Sequence, residues 1–146
     1  MTDVEQLLAI EAIKRLKSKY FWCLDHQDWE GWKRDVWAPD ASLEVPGSME
    51  GNVTGIDNII AWVSPRANGQ ISIHHGHMPD IEITSDTTAK AVWAMEDILH
   101  KPLDHAKKYG YSFLHGWGHY HETYVKLPQG WRLKTTKLTR LRVVKG

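Results

Sequence analysis

The sequence predicts an α+β domain in which N-terminal helices pack on one face of an antiparallel sheet; such a sheet, if strongly curved, forms a cone that the helices close on one side. Three observations lead there. Apolar residues recur at spacings of three and four in the first part of the chain. From Ile71 onward the period drops to two. The helical stretches all precede the long strands, an order that segregates helices to one face of a sheet. The mouth of such a cone is where a small ligand sits.

The first helix is drawn by Leu7, Ile10, Ile13, Leu16, Tyr20 and Leu24, with Glu11, Lys14, Arg15 and Lys17 read as its solvated side. Residues 28–37 read as a short second helix with an acidic start, ended by Pro39-Asp40. A short strand follows over 41–45, with turns at Pro46-Gly47 and Glu50-Gly51. Ile56, Ile59, Ile60 and Val63 mark a third helix closed by Ser64-Pro65. Ile71, Ile73, Ile81 and Ile83 then alternate along a first long strand, and Ser85-Asp86-Thr87 turns the chain. Further strands are expected over 89–99, 112–127 and 131–144, the last two joined by a tight hairpin at Pro128-Gln129-Gly130. Residues 101–111, with Pro102 and Gly110, are expected to form the longest loop, a candidate lid.

A chain of 146 residues makes one domain, residues 1–146. Lys plus Arg and Asp plus Glu both number 18, a balance that argues against nucleic acid as a partner. No apolar run reaches the length of a membrane span. The start Met1-Thr2-Asp3-Val4-Glu5 lacks the basic opening of a signal peptide. Cys23 is alone, so no internal disulfide forms, and a cytoplasmic location is expected. Eight Trp and nine His stand out in so small a chain: they supply pocket walls and groups that move protons near neutral pH.

The string His74-His75-Gly76-His77 lies in the first long strand. Alternation puts His75 and His77 on one side with Ile71 and Ile73, and His74 on the other. His119 and His121 repeat the two-residue spacing, so the four imidazoles are candidate metal ligands. No acidic residue stands at a neighbouring ligand spacing after His77, and no metal is expected. Asp25 ends the first helix, where a negative charge opposes the macrodipole and calls for a cationic or histidine partner. With a sheet histidine it would make a general-base dyad; the spacing does not say which histidine. Trp29, Trp32 and Trp37 are expected to pack the short helix on the sheet, and Trp93, Trp117 and Trp131 to line core or pocket. Arg132, Lys134, Lys137, Arg140 and Arg142 read as a solvated face unless a bulge turns Arg140 inward.

The strings from Ile10 to Asp25, Ala38-Pro39-Asp40-Ala41, His74 to Ile83, Trp93-Ala94-Met95-Glu96-Asp97, Gly118 to Tyr124 and Gly130-Trp131-Arg132-Leu133 follow an order similar to the SnoaL-like branch of the nuclear transport factor 2-like superfamily. Within it the likeness is greatest to bile-acid dehydratase and scytalone dehydratase-type enzymes, and more distant to hexachlorocyclohexane dehydrochlorinase. The resemblance implies an α+β cone and a cofactor-free elimination. It implies Asp25 and His74 as the catalytic dyad, Tyr20 and Arg140 as pocket residues, and His115 near the position of a second catalytic histidine. The branch also holds isomerases and binding proteins, and fold alone does not choose among them.

The expectation is therefore a dehydratase-type lyase or isomerase acting on a hydrophobic cyclic small molecule. The alternative is a binding or accessory domain with an idle dyad; a metal-dependent enzyme ranks third. Tyr20, Trp22, Trp93, Phe113, His115, Trp117 and Arg140 are expected to line the pocket. Neither cofactor nor metal is expected, and a homodimer or homotrimer is.

Overall fold

Thr2 starts the first helix, α1 (Asp3–His26), by a reciprocal cap: its hydroxyl accepts from the Glu5 N–H at 3.1 Å, and the Glu5 carboxylate accepts from the Thr2 N–H at 2.6 Å. The helix ends at Gln27, whose backbone is left-handed at φ 57°. Its buried side carries Ala9, Ile13, Leu16, Lys17, Tyr20, Cys23 and Leu24. Two expectations change here. Leu7 is 65% exposed and falls outside the stripe. Lys17 is inside, not solvated, because it lies between Ile13 and Tyr20 on the same face. Its ammonium sits 2.8 Å from the Glu122 carboxylate, over the rings of Tyr20 and Tyr120.

The structure, a computed structural model, describes residues 1–45 and 51–146. After α1 come α2 (Trp29–Asp35), β1 (Trp37–Glu44), β2 (Asn52–Thr54), α3 (Ile56–Ala67), β3 (Ile71–Ile83), β4 (Thr88–His100), α4 (Leu103–Tyr109), β5 (Phe113–Leu127) and β6 (Gly130–Lys145). The strands form one curved, unclosed sheet in the order β2-β1-β6-β5-β4-β3. Adjacent strands run antiparallel except β1 and β6, which are parallel. Among the described residues no helix is long and apolar enough to cross a membrane.

The second helix stops at Asp35, earlier than the sequence suggests, and Pro39 lies within β1. A proline cannot donate to a ladder, and the β1–β6 pairing shifts between Trp37 and Ser42, where Pro39 falls. Trp32 and Trp37 are buried with their rings edge-on at 5.2 Å, which fixes α2 against the sheet. Pro46, Gly47 and Glu50, expected in turns, lie outside the described residues, and β2 is a strand that the residue pattern does not announce. Helix α3 continues through Pro65 to Ala67, and Arg66 donates to the Trp62 carbonyl at 2.6 Å. The expected lid over 101–111 is instead a short helix: Pro102 caps α4 and Gly110, at φ 83°, ends it. Lys101 ties its entry to the Arg66 carbonyl and the Gln70 side chain.

The pleat gives the sheet two unlike faces. Ala89, Ala91, Trp93, Met95 and Asp97 of β4 alternate inward, as do Leu114, Gly116, Gly118, Tyr120, Glu122 and Tyr124 of β5. This is the face that α1 covers. Each fully buried side chain there, such as Ile13 or Leu133, contributes about 1.5–3 kcal/mol. The opposite face carries the intervening residues.

Candidate active site

Asp25 occupies the last turn of α1, facing edge strand β3. The end of that helix is clipped in place: Gln27 donates to the Gln70 carbonyl at 2.8 Å and accepts from the Gly69 N–H at 3.2 Å. The turn leading into β3 is thereby held against the helix terminus. β4 pairs only one side of β3, so the outward N–H groups of the edge strand need another acceptor. Asp25 Oδ2 accepts the His74 N–H at 3.0 Å, while Oδ1 accepts from Ser72 Oγ at 2.8 Å and from His74 Nδ1 at 2.6 Å. Burial opposes ionisation of Asp25, but the bonds and charge of His74 outweigh it and hold the carboxyl below its ordinary value.

This geometry fixes the imidazole. With the Nδ1 proton donated to Asp25, Nε2 carries the lone pair, and it meets no hydrogen-bonding group among the described residues. A groove of about 660 Å³ between α1 and β3 is lined by Phe21, Trp22, Asp25, His74, Gly76 and Trp93, among others. Gly76 makes the groove wall possible: a Cβ there would lie 2.9 Å from Phe21 and 3.1 Å from Trp93. Phe21 lies parallel to the His74 ring at 6.3 Å. Trp22 is 63% exposed and stacks on His26. A depression of about 690 Å³ on the helix-free face, near Lys90, His121, Thr123 and Lys137, contains no histidine paired with a carboxylate.

A row of polar groups continues from His74 across the inner face. Asp97 pairs in register with His74 on the next strand and receives a two-pronged bond from Arg140: Nη1 to Oδ1 at 2.5 Å, Nη2 to Oδ2 at 2.9 Å. Simple alternation would leave Arg140 outside with Arg132 and Lys134. The β5–β6 register shifts between Thr123, which faces Thr135, and Tyr124, which faces Leu133; this bulge at Lys134 passes the inward phase of β6 from Leu133 to Thr136, Leu138 and Arg140. Gly116 clears its path, since a Cβ there would collide with Arg140 Nη1 and lie 2.6 Å from Asp97 Oδ1. A cavity of about 470 Å³ between Leu43, Trp62 and Leu138 reaches Arg140 from the α3 side.

Tyr20 packs among Phe21, Trp32, Trp37 and Tyr120 inside the cone. Its hydroxyl bonds no described residue, and burial, reinforced by Glu122, Asp25 and Asp97, pushes its pKa upward so that it stays a neutral donor. Tyr20 and Asp25, five positions apart, point roughly 140° away from each other, and the Phe21 ring stands beside Tyr20, 5.5 Å between centroids.

Of the expected pocket residues, Trp22 and Trp93 line the groove between α1 and β3; Tyr20 and Arg140 do not, and Phe113, His115 and Trp117 lie on another face. Phe113, His115 and Trp117 alternate with the buried Leu114, Gly116 and Gly118, which puts them on the helix-free face. The reason is register: the pleat of β5 gives its inner positions to the even-numbered residues. His115 and Trp117 there stack on each other and bond Glu96. That face also carries the His75, His77 and Glu96 cluster, the group with metal-ligating geometry among the described residues. Sequence reasoning missed Asp97, although it stands two and four residues from the inward Met95 and Trp93; a charge at that spacing on an apolar face was the available signal. Ser72, two residues before His74 on the same strand face, was also missed.

Known structures share this architecture. Hexachlorocyclohexane dehydrochlorinase LinA-type3 from Novosphingobium barchaimii LL02 superposes with a TM-score of 0.80 at 18% identity, over 99% of this chain and 94% of its own. A scytalone dehydratase-like protein from Novosphingobium aromaticivorans DSM 12444 gives 0.82 at 19% identity, covering 99% and 92% of the two chains. The protein Rv3472 from Mycobacterium tuberculosis, itself of unknown function, gives 0.78 at 22% identity over 97% and 78%. At these identities the likeness is one of fold. The family model described as SnoaL-like domain matches residues 5–137, and the chain belongs to that family.

Proposed function

We propose that the protein is a cofactor-free lyase that eliminates a small leaving group from a hydrophobic cyclic molecule. The observation that carries this reading is the Asp25–His74 pair, with Nδ1 bonded at 2.6 Å and Nε2 unengaged beside an aromatic-walled groove. His74 Nε2 removes a proton from carbon, the C–H electron pair becomes the new double bond, and the leaving group departs with its own pair. Asp25 stabilises the imidazolium that forms. This reading gives Tyr20 and Arg140 no step, because neither lines the groove and the Arg140 guanidinium is paired with Asp97. The same base performs isomerisation if the proton returns to another carbon. That dehydratase- and dehydrochlorinase-type proteins share the fold supports elimination as the reaction class.

The test is a turnover screen with hydroxylated and halogenated steroids and polyketide-type rings, followed by absorbance of the new conjugated double bond and by halide release. Turnover that Asp25→Asn abolishes supports the lyase reading. Binding without turnover by either protein supports a non-catalytic binding module, a reading favoured by the Arg140 guanidinium already being neutralised by Asp97. We also propose a homodimer or homotrimer formed through the helix-free face, where Ile71 is 67% and Ile73 and Val92 are each 39% exposed. Sedimentation as a monomer at micromolar concentration would overturn that assembly.

A further inference from the structure

The pleat that turns His74 toward α1 turns His75 and His77 to the helix-free face, with ring centroids 5.9 Å apart. Glu96 stands directly across from His75 on β4. One ligand atom from each of the three lies within 4.8 Å of the other two. His75 Nδ1 is 3.4 Å from Glu96 Oε1. Two ligands bound to one tetrahedral zinc ion are separated by about 3.4 Å, so that edge of the polyhedron is already formed. The other carboxylate oxygen, Oε2, accepts from His115 Nε2 and Trp117 Nε1, each at 3.0 Å. Those two rings stack at 4.0 Å and orient the carboxylate from behind, as outer partners orient metal ligands.

We infer that His75, His77 and Glu96 form a binding site for a divalent transition metal of the zinc class, with its remaining coordination positions not filled by these three residues. Two imidazoles and one carboxylate suit zinc; calcium and magnesium take oxygen ligands. The ion would cross-link edge strand β3 to β4 just before the register shift between His77 and Asp80, where the ladder is weakest. It therefore stabilises the fold and is independent of the dyad. The chain carries an internal contrast. His119 and His121 have the same spacing and lie on the same face of β5, but their register partners are Ala94 and Val92 on one side and Thr139 and Lys137 on the other. No carboxylate among those partners completes the pair, and His121 Nε2 is bonded to Thr139.

The experiment is calorimetric titration of the metal-stripped full chain with Zn²⁺, joined to the visible spectrum of the Co²⁺ form. One Zn²⁺ per chain is expected, together with a Tm that rises with Zn²⁺ concentration. His77→Ala and Glu96→Gln should each weaken binding by about 10-fold or more, and Trp117→Phe, which removes only a donor behind Glu96, should weaken it by about 10-fold. His119→Ala should bind as the unmodified chain does. Circular dichroism on each variant before titration separates lost ligation from lost folding. The Co²⁺ spectrum reports nitrogen and oxygen ligation with no variant at all. Absence of stoichiometric Zn²⁺ binding, or an equal loss in His119→Ala and His77→Ala, would overturn the site.

Discussion

His74 and His75 are neighbours in the chain, each meets a carboxylate, and the two faces of β3 give them different chemistry. His74 points to the covered side, 10% exposed, and its partner Asp25 comes from a helix that also takes the strand's backbone N–H. One nitrogen is tied and the other left unengaged in a mostly dry setting, which suits the proposed role as a base. His75 points to the open side, 51% exposed, and its partner Glu96 comes from the adjacent strand and is shared with His115 and Trp117. There several donor atoms converge on one point, which suits an ion better than a proton transfer. Residue type is the same; the covering element decides the use.

The contrast can be broken most directly at the dyad. Asp25→Asn and His74→Ala should each lower turnover by about 10²–10⁴-fold, the range of a lost general base. The double variant should be little worse than either single one, because a pair acting as a unit is not additive. His119→Ala, on the open face, should change turnover by less than about 3-fold; steady-state kinetics with any substrate from the screen decide it, and a loss there comparable to His74→Ala would erase the distinction between the faces. The covered face can be probed through stability as well. Lys17→Met strands the Glu122 carboxylate and should cost about 3–5 kcal/mol in chemical denaturation, with Lys17→Met/Glu122→Leu recovering part of it. Gly116→Ala should destabilise by about 1–3 kcal/mol as the new methyl displaces Arg140. In combination with Arg140→Ala the cost should be less than the sum, and full additivity would mean that the guanidinium does not occupy that gap.

The smallest expected effect is on pH dependence. The folded Asp25 carboxyl titrates below its unfolded value of about 3.9. Its bonds therefore contribute stability that is fully present above that pH and is lost as pH falls through the folded value. The acid limb of the stability curve should be shallower in Asp25→Asn than in the unmodified chain.

Much of this is legible in the residues, in proportion to how local the signal is. The long strands and α1 follow from period alone, and the macrodipole argument singles out Asp25 as needing a partner. The resemblance points to His74, and the structure brings the two together. What cannot be read are features set by register. Alternation does not say that β5 places Phe113, His115 and Trp117 outside, because both phases of that strand carry aromatic residues. The inward turn of Arg140 depends on one bulge in β6, and the Glu96 partner of His75 depends on which β4 residue lands opposite. Lys17 misleads for another reason. A charged residue on a helix normally marks solvent, and only a carboxylate from a strand far along the chain reverses that.

The position of Asp25 has a consequence for assembly. An uncovered edge strand is a template on which another chain can add by main-chain pairing, the route to uncontrolled aggregation. Here the N–H of His74 is already taken by Asp25, and farther along β3 the chain bends at Met78, with φ 38°, and Pro79, which offers no N–H. The carboxylate proposed to serve the base is thus also a guard on the sheet's border. A descendant that lost the acid at this position while keeping the fold would face a second selective pressure, unrelated to chemistry, to fill the gap with another acceptor.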